Sequence, residues 1–230
     1  MTLTQAAAIG KVRSRIDEPA ESFWKDREIR EWLNEGVAEV ARRAEWNRAS
    51  STISVVAGTQ VYVCPTDLIR AYRVEYQPTG QSQKYPLEYR DFNQMDVLWG
   101  VNQAVTTSIP EFWTSWLANP ISIYLAPKPA MAGQLNLFYY AMPDDLATVT
   151  NADSTTALSV PAGWEDLPVE WATSLAFRKD RNTEMYGMAK QAFEQTITEF
   201  TQASARWTDA PTMITEDWVS GMLDDYWGGY

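Results

Sequence analysis

The chain has 230 residues, of which 45% are hydrophobic, and a formal net charge of −11, with one cysteine and no histidine. Without histidine, neither a Ser-His-Asp nor a Cys-His triad can be built, and a zinc site would have no nitrogen ligand. The acidic balance disfavours tight binding to a nucleic-acid backbone. Cys64 cannot form an internal disulfide, which is typical of a protein made in a reducing cytosol.

Two helical patterns come first in the chain. A helix is predicted at Thr4–Asp17, and Glu18-Pro19 ends it because proline disfavours a helical residue before it. Its basic residues are expected on the exposed side: Lys11, Arg13 and Arg15. The second helix, Asp26–Trp46, has apolar residues at steps of three and four, with Asp26 as its N-cap. We expect the rest of the chain to pack against this second helix.

After Ser50 the pattern changes to the alternation of strands. A hairpin is predicted over Thr52–Val56 and Gln60–Val63, around a short turn that contains glycine. A second strand pair is predicted at Ile69–Gln77 and Lys84–Tyr89, where Pro86 indicates an edge position. The remaining elements of this part are a short helix and three strands: Asp91–Trp99, Glu111–Trp116, Ile121–Leu125 and Gln134–Tyr140.

Helical periodicity returns in the last third of the chain. A polar connector, Asp144–Ser159, precedes Pro161, after which apolar residues at helical spacing continue to Trp207. The composition then changes to an acidic, aromatic tail that contains no basic residue. No apolar run approaches the ~20 residues of a membrane-spanning helix, and residues 1–17 lack the pattern of a secretory signal.

These patterns predict an α+β fold: a four-helix bundle of two N-terminal and two C-terminal helices, an inserted antiparallel β domain of about six strands, and an extended tail. The expected bundle core is Ile29, Trp32, Leu33, Val37, Val40, Trp171, Leu175, Phe193 and Ile197. The predicted boundaries are 1–49 for the N-terminal helices, 50–143 for the β insertion, 144–160 for the connector, 161–208 for the C-terminal helices and 209–230 for the tail.

Paired acidic residues are the closest approach to catalytic chemistry: Asp144-Asp145, Glu165-Asp166, Glu216-Asp217 and Asp224-Asp225. Carboxylates can act as acid and base or hold Mg²⁺, but only when they converge from separate elements, which adjacency does not supply. We interpret these pairs as solvated charges. No glycine-rich phosphate loop occurs either, so we predict a protein that is not an enzyme and that binds no metal or cofactor.

Several surface features suggest binding to other molecules. Aromatic strand residues could stack on sugars, which defines a rival class, a carbohydrate- or receptor-binding module; core and cross-strand pairing is the favoured interpretation. They are Tyr72, Tyr76, Tyr85, Tyr89, Trp113, Trp116, Tyr124, Tyr139 and Tyr140. A basic cluster could touch phosphate, but its acidic neighbours favour a salt-bridged helix face. This cluster consists of Arg42, Arg43 and Arg48, and these residues together with Trp46 are candidates for a subunit interface.

The acidic tail is the most specific of these features. It carries too many aromatic residues for an ordinary disordered end. We interpret it as a docking peptide that orders on a partner surface, and strand addition is one way to do so. The alternatives are a flexible end and a tail folded back on its own domain. The expected docking residues are Trp218, Met222, Leu223, Tyr226, Trp227 and Tyr230.

The order of these pieces resembles the head-to-tail adaptor (neck, head-completion) proteins of tailed bacteriophages. Three stretches of the sequence are similar to that family. They are FWKDREIREWLNEGVAEVARR with its Trp32-Leu33-Asn34 step, TQVYVCPTDLIRAYRVEY with Tyr62-Val63-Cys64-Pro65, and ISIYLAPKPAMAGQLNLFYYAMPDDL followed by VPAGWEDLPVEWATSLAFRKD. The resemblance covers residues from about 3 to about 207 and leaves the tail unmatched.

The resemblance implies a structural virion protein at the head–tail junction, made in the host cytoplasm. Family members commonly form a ring of twelve subunits under the portal of the filled head. The tail segment is not part of this resemblance; we expect it to dock on the portal protein, and a neighbouring subunit is the alternative. Double-stranded DNA would pass through the channel without sequence-specific binding, and tail or nozzle proteins would attach below. No membrane partner is implied.

Overall fold

The computed structural model describes residues 3–99, 108–116, 120–146 and 156–208. The described residues form five helices and seven strands, and every predicted helix and strand of these ranges is present. Their bounds are α1 (Gln5–Arg15), α2 (Asp26–Ala44), β1 (Arg48–Val55), β2 (Val61–Val63), β3 (Leu68–Pro78), β4 (Tyr85–Tyr89), α3 (Phe92–Trp99), β5 (Phe112–Trp116), β6 (Ser122–Ala126), β7 (Gly133–Ala141), α4 (Asp166–Lys179) and α5 (Thr183–Thr208).

The strands form a single mixed sheet in the order β1-β7-β3-β4-β5-β6-β2, antiparallel except between β4 and β5. β1 and β2 are the two edges of this sheet, yet only residues 56–60 separate them in the chain. This short connection holds the two edges near each other, so the sheet curls into a nearly closed barrel. The Tyr62 hydroxyl fixes the connection by donating to the carbonyls of Val56 (3.1 Å) and Thr59 (2.8 Å).

The hairpin predicted over Thr52–Val56 and Gln60–Val63 is wrong, although both segments are strands. β1 pairs with β7 over eight positions, and β2 pairs instead with β6. The three residues of β2 could cover less than half of β1, so β1 satisfies more backbone N–H and C=O groups on β7. Sequence neighbours therefore become the two opposite edges of the sheet.

β4 joins the two halves of the barrel and is not an edge strand. It pairs with β3 through Tyr85–Leu87 and with β5 through Glu88–Tyr89. The edge position predicted from Pro86 is therefore wrong for the strand as a whole. Pro86 lies in the half of β4 that pairs only with β3. No strand pairs with the opposite side of β4 at this position, so the missing N–H of proline removes no hydrogen bond there.

The barrel encloses its own apolar core, which includes Leu87, Trp113, Ile123, Leu125, Leu135 and Leu137. The thiol of Cys64 lies in this core, and burial raises its pKa to about 11. The short helix α3 also belongs to this part of the protein, because it packs against β5 and its Phe92 ring contacts the Tyr124 ring at 5.9 Å between centroids.

The helices form a separate layer, and the predicted four-helix bundle with a six-strand insertion is wrong. A bundle has one core lined by all its helices, whereas here the apolar contacts divide into two clusters. α1 contributes to the first cluster and α5 to the second, while α2 and α4 contribute to both. The helical period predicted the type of each element, but not how the elements are arranged.

Eight of the nine expected bundle-core residues are distributed over these two clusters, and Leu175 belongs to neither. Six side chains are almost fully buried: Ile29, Leu33, Val37, Val40, Phe193 and Ile197. The other three are half-buried: Trp32, Trp171 and Leu175. Trp171 packs on Phe193 with the ring centroids 5.0 Å apart.

Arg13, predicted to be exposed, is buried with 6% of its surface accessible. Its guanidinium donates to the carboxylate of Asp26 (2.9 Å from Nε) and to the carbonyls of Ala20 (3.1 Å) and Trp24 (3.0 Å). A guanidinium can be buried when so many of its donors are satisfied. Asp26 accordingly binds Arg13 as the first residue of α2, and Lys25 is the N-cap.

Gly36 sets the distance between α2 and α4. A Cβ atom at Gly36 would lie 2.9 Å from Cα of Pro168 and 3.1 Å from its carbonyl oxygen. We expect Gly36→Ala to lower the free energy of unfolding by about 1–3 kcal/mol, because the helices must separate. A Cβ atom added at Gly187 of α5 would meet no atom within 4 Å, so Gly187→Ala should raise the free energy of unfolding by about 0.5–1 kcal/mol. Urea denaturation measures both, and equal effects would contradict the close packing.

The barrel core should make Cys64 unreactive. At pH 8, three units below the pKa of about 11, roughly one thiol in a thousand is ionised, and the thiolate is the nucleophile. We expect Ellman's reagent to label the native protein slowly at pH 8 and to label it at once in denaturant. Rapid labelling of the native protein would show that the barrel is open at this point.

Candidate functional site

Three elements meet at a junction between the helical layer and the barrel. α2 ends at Ala44, and its C-cap Glu45 has a left-handed conformation (φ 46°) and turns the chain toward β1. The carboxylate of Glu45 accepts two hydrogen bonds from Arg70 of β3, one of them 2.7 Å from Nε. Ser204 of α5 donates to the carbonyl of Ala44 at 3.1 Å. The contacts bring the ends of α2 and α5 onto the sheet.

An arginine–aromatic row extends from this junction across the outer face of the sheet. The register places Tyr140 of β7 between Arg48 of β1 and Arg70 of β3. The Arg70 guanidinium lies 5.3 Å from the Tyr140 ring centroid, and the Arg48 guanidinium lies 5.8 Å from that of Tyr72. The Tyr72 and Tyr140 rings contact each other at 5.0 Å. Cation–π contacts of this kind hold the arginines flat against the sheet.

The basic residues of this region are largely paired with acidic ones. Arg43 donates to Glu39 and to Glu194, each at 2.6 Å, and Arg42 lies 3.4 Å from Glu39. The hydrogen bond from Arg43 lowers the pKa of Glu194. The predicted interface candidates Arg42 and Arg43 thus lie on a salt-bridged helix face. Trp46 is half-buried against the second helical cluster.

A cleft of about 380 Å³ opens in the wall of the barrel beside the junction. It lies where β4 ends and the chain turns into α3, so that β3 and β5 face each other across a gap. The lining residues are Arg70, Ala71, Tyr72, Tyr89, Trp113 and Ser115. The Tyr89 ring meets the Trp113 ring edge to face at 5.0 Å. A second cavity of about 210 Å³ shares Arg70 and extends to Thr201 and Ala205 of α5.

The structure separates the nine aromatic residues considered for sugar stacking. Four are buried: Tyr76, Trp113, Tyr139 and Tyr140. Tyr72 and Tyr89 are exposed, at 40% and 53%, and both line the cleft. Tyr85 and Tyr124 are half-buried, and Trp116 lies at the end of β5. The two exposed rings therefore lie on either side of the cleft and do not form a flat surface on which a sugar could stack.

No group of side chains in the described ranges could hold a metal ion. Of the acidic pairs, Asp166 binds Lys11 at 2.9 Å and Glu165 accepts from the backbone N–H of Gly163 at 2.7 Å. The pairs at 216–217 and 224–225 and all six docking residues of the tail lie outside the described residues.

Sequence reasoning missed the cleft, the pairing of Arg70 with Glu45 and the burial of Arg13. Arg70 and Glu45 are 25 residues apart and belong to different elements, so no local pattern connects them. The sequence does predict that the strand ends at Tyr89. This end indicates a cleft only once it is known that β4 lies between β3 and β5, and the sequence does not show that order.

These features define a mixed α+β protein with a helical layer on a nearly closed barrel. The sequence model of the family described as SU10 adaptor protein matches residues 1–215, and the chain belongs to this phage head–tail adaptor family. The resemblance to head-to-tail adaptors is thereby confirmed at the level of the family. No curated protein matches the chain significantly. Among the helices described, none is long and apolar enough to cross a membrane.

The Arg70–Glu45 pair should contribute modestly to stability, because both side chains are partly exposed. A double-mutant cycle with Arg70→Gln and Glu45→Gln should give a coupling free energy of about 0.5–1 kcal/mol that decreases with added salt. Arg27 and Glu31, an exposed pair one helical turn apart, provide a matched cycle, and we expect their coupling to be weaker than that of Arg70 and Glu45. Zero coupling between Arg70 and Glu45 at low salt would contradict the geometry of the junction.

Proposed function

We propose that the chain forms a ring, with twelve copies as the expected number, that joins the portal of the DNA-filled head to the tail. Membership of the adaptor family over residues 1–215 carries this proposal. As a phage structural adaptor, the chain is a virion component that interacts with other virion proteins, and the family favours a role without catalysis. The ring, the portal and the tail or nozzle proteins are the specific partners we propose.

Exposed apolar side chains occur on two separate parts of the molecule. Val56 and Val63 of the barrel are 61% and 57% exposed, and Met188 of α5 is 61% exposed. A closed ring of identical subunits needs two different complementary faces on each subunit. We assign one face to the barrel, residues 50–143, and the other to the helices of 1–49 and 161–208, which the segment 144–160 connects. These divisions remain those predicted from the sequence.

The charge distribution supports a channel through which DNA slides. The net charge is −11, and four arginines on α2 and β3 have acidic partners: Arg42, Arg43, Arg70 and Arg73. Few phosphates would be neutralised, so the gain in free energy from counterion release is small. Double-stranded DNA can then pass the ring without being held in place.

We further assign portal docking to Trp218, Met222, Leu223, Tyr226, Trp227 and Tyr230 of the tail. Aromatic and methionine side chains are enriched at protein interfaces, and a peptide that adds to a sheet or groove gains main-chain hydrogen bonds as well. The acidic residues between them would set the orientation against a basic portal surface.

Deletion of Met213–Tyr230 tests this proposal directly. We expect the shortened chain to fold, with an unchanged far-ultraviolet circular dichroism spectrum, and to lose co-sedimentation with portal rings. A chain with residues 213–230 reordered but unchanged in composition controls for length and charge, and it should fail in the same way. Retained co-sedimentation with reduced thermal stability would contradict the docking role, and specific binding on a glycan array would favour the carbohydrate-binding class.

A further inference from the structure

The irregular segment of residues 18–25 holds a large aromatic side chain out from the helical layer. Phe23 is 55% exposed, and its ring packs edge to face on Trp24 with the ring centroids 4.8 Å apart. Nζ of Lys179 lies 5.1 Å from the centroid of the Phe23 ring. An exposed ring that two neighbours already hold in place loses little conformational freedom when it binds, which suits it to anchor an interface.

Two buried side chains, Arg13 and Glu18, fix the backbone of this segment. The carboxylate of Glu18 accepts hydrogen bonds from the backbone N–H groups of Ser22 at 3.1 Å and Trp24 at 3.3 Å. It also accepts one from the N–H of Phe23 itself. The guanidinium of Arg13 donates to the carbonyl of Trp24 at 3.0 Å. These hydrogen bonds give the Phe23 ring a defined place on the surface of the helical layer.

The cleft of about 380 Å³ in the barrel has the complementary chemistry. Its exposed rings are those of Tyr72 and Tyr89, and the Trp113 ring contacts the Tyr89 ring at 5.0 Å. Arg70, the charged residue of the lining, is already paired with Glu45. Aromatic rings pack favourably edge to face or offset, and a cavity of ~150 Å³ can hold a benzene molecule. An uncharged aromatic side chain therefore suits this cleft in size and in polarity.

Phe23 and the cleft of the same chain lie too far apart to meet. Phe23 precedes the first turn of α2, whereas Glu45 follows the last turn and binds Arg70, which lines the cleft. The 19 residues of α2 span ~28 Å, which is several times the length of a phenylalanine side chain. A ring that enters the cleft in this way must therefore come from another molecule.

We propose that Phe23 of one subunit inserts into the cleft of the next subunit, with its ring against Tyr72, Tyr89 and Trp113. This head-to-tail contact is an interface of the ring, so the inference rests on the proposed function and names the residues that make the contact. A closed ring needs two different complementary faces on each subunit. Phe23 lies on the helical layer and the cleft lies in the barrel, so one chain carries both halves of the contact.

Photo-cross-linking of the full-length chain with Phe23→p-benzoylphenylalanine tests the contact. This substitution keeps an aromatic ring, which bonds covalently to its neighbours on irradiation. We expect products at multiples of 26.1 kDa, from the concentrated isolated chain and from its complex with portal rings, with cross-links in peptides that contain Tyr72, Tyr89 or Trp113. The same substitution at Met188, a similarly exposed side chain of α5 at 61%, should give no cross-link to these peptides.

Alanine variants measure how much the contact contributes. We expect Phe23→Ala and Tyr89→Ala each to raise the adaptor concentration that half-fills portal rings by at least about tenfold. The double variant should raise it no further, because either change already removes the contact. Met188→Ala should leave this concentration unchanged. The thermal midpoint of each variant establishes that it is folded, and should Tyr89→Ala fail to fold, the comparison of Phe23→Ala with Met188→Ala still decides.

Three results would overturn the proposal. In the first, position 23 cross-links to portal peptides alone, which would place Phe23 on the portal. In the second, neither sample contains a cross-link between position 23 and the cleft of another copy. In the third, Phe23→Ala fills portal rings at the same concentration as the wild-type chain. A wild-type chain that adds no mass to portal rings would instead defeat the proposed function, while cleft cross-links in the isolated chain would still support this contact.

Discussion

The position at which β4 stops pairing governs this structure. The strand is five residues long, and it is shared between β3 and β5 so that each neighbour receives only part of it. That division joins the two halves of the sheet into one barrel, and it also leaves the facing stretches of β3 and β5 apart. The cleft, its exposed Tyr72 and Tyr89, and its connection through Arg70 to the helices all follow from this termination.

The helical layer is tied to the barrel by a few polar contacts and not by a shared core. The barrel core and the two helical clusters are separate, and the junction between them is built from Glu45, Arg70, Ser204 and the arginine–aromatic row. Such contacts orient the helical layer relative to the barrel but add little to the free energy of unfolding, because partly exposed ion pairs are weak.

Much of the secondary structure could be predicted from the sequence, whereas the topology could not. The stripe of Asp26–Trp46 and the alternation of Ile69–Gln77 identify a helix and a strand because side chains repeat on one face within a few residues. The pairing of β1 with β7 joins Arg48 to Tyr140, and no local pattern spans that separation. Arg13 looked like an exposed cation because its carbonyl partners lie in an irregular segment that has no period. The tail docking residues lie outside the described residues and stay a prediction.

The central claim is that this chain is a building block that associates with a portal. Light scattering of the purified chain, alone and mixed with portal rings, is the most direct measurement of it. The account predicts a monomer of 26.1 kDa alone, and with portal rings a single complex whose added mass corresponds to one adaptor for each portal subunit. A portal peak of unchanged mass in the presence of excess adaptor would contradict it.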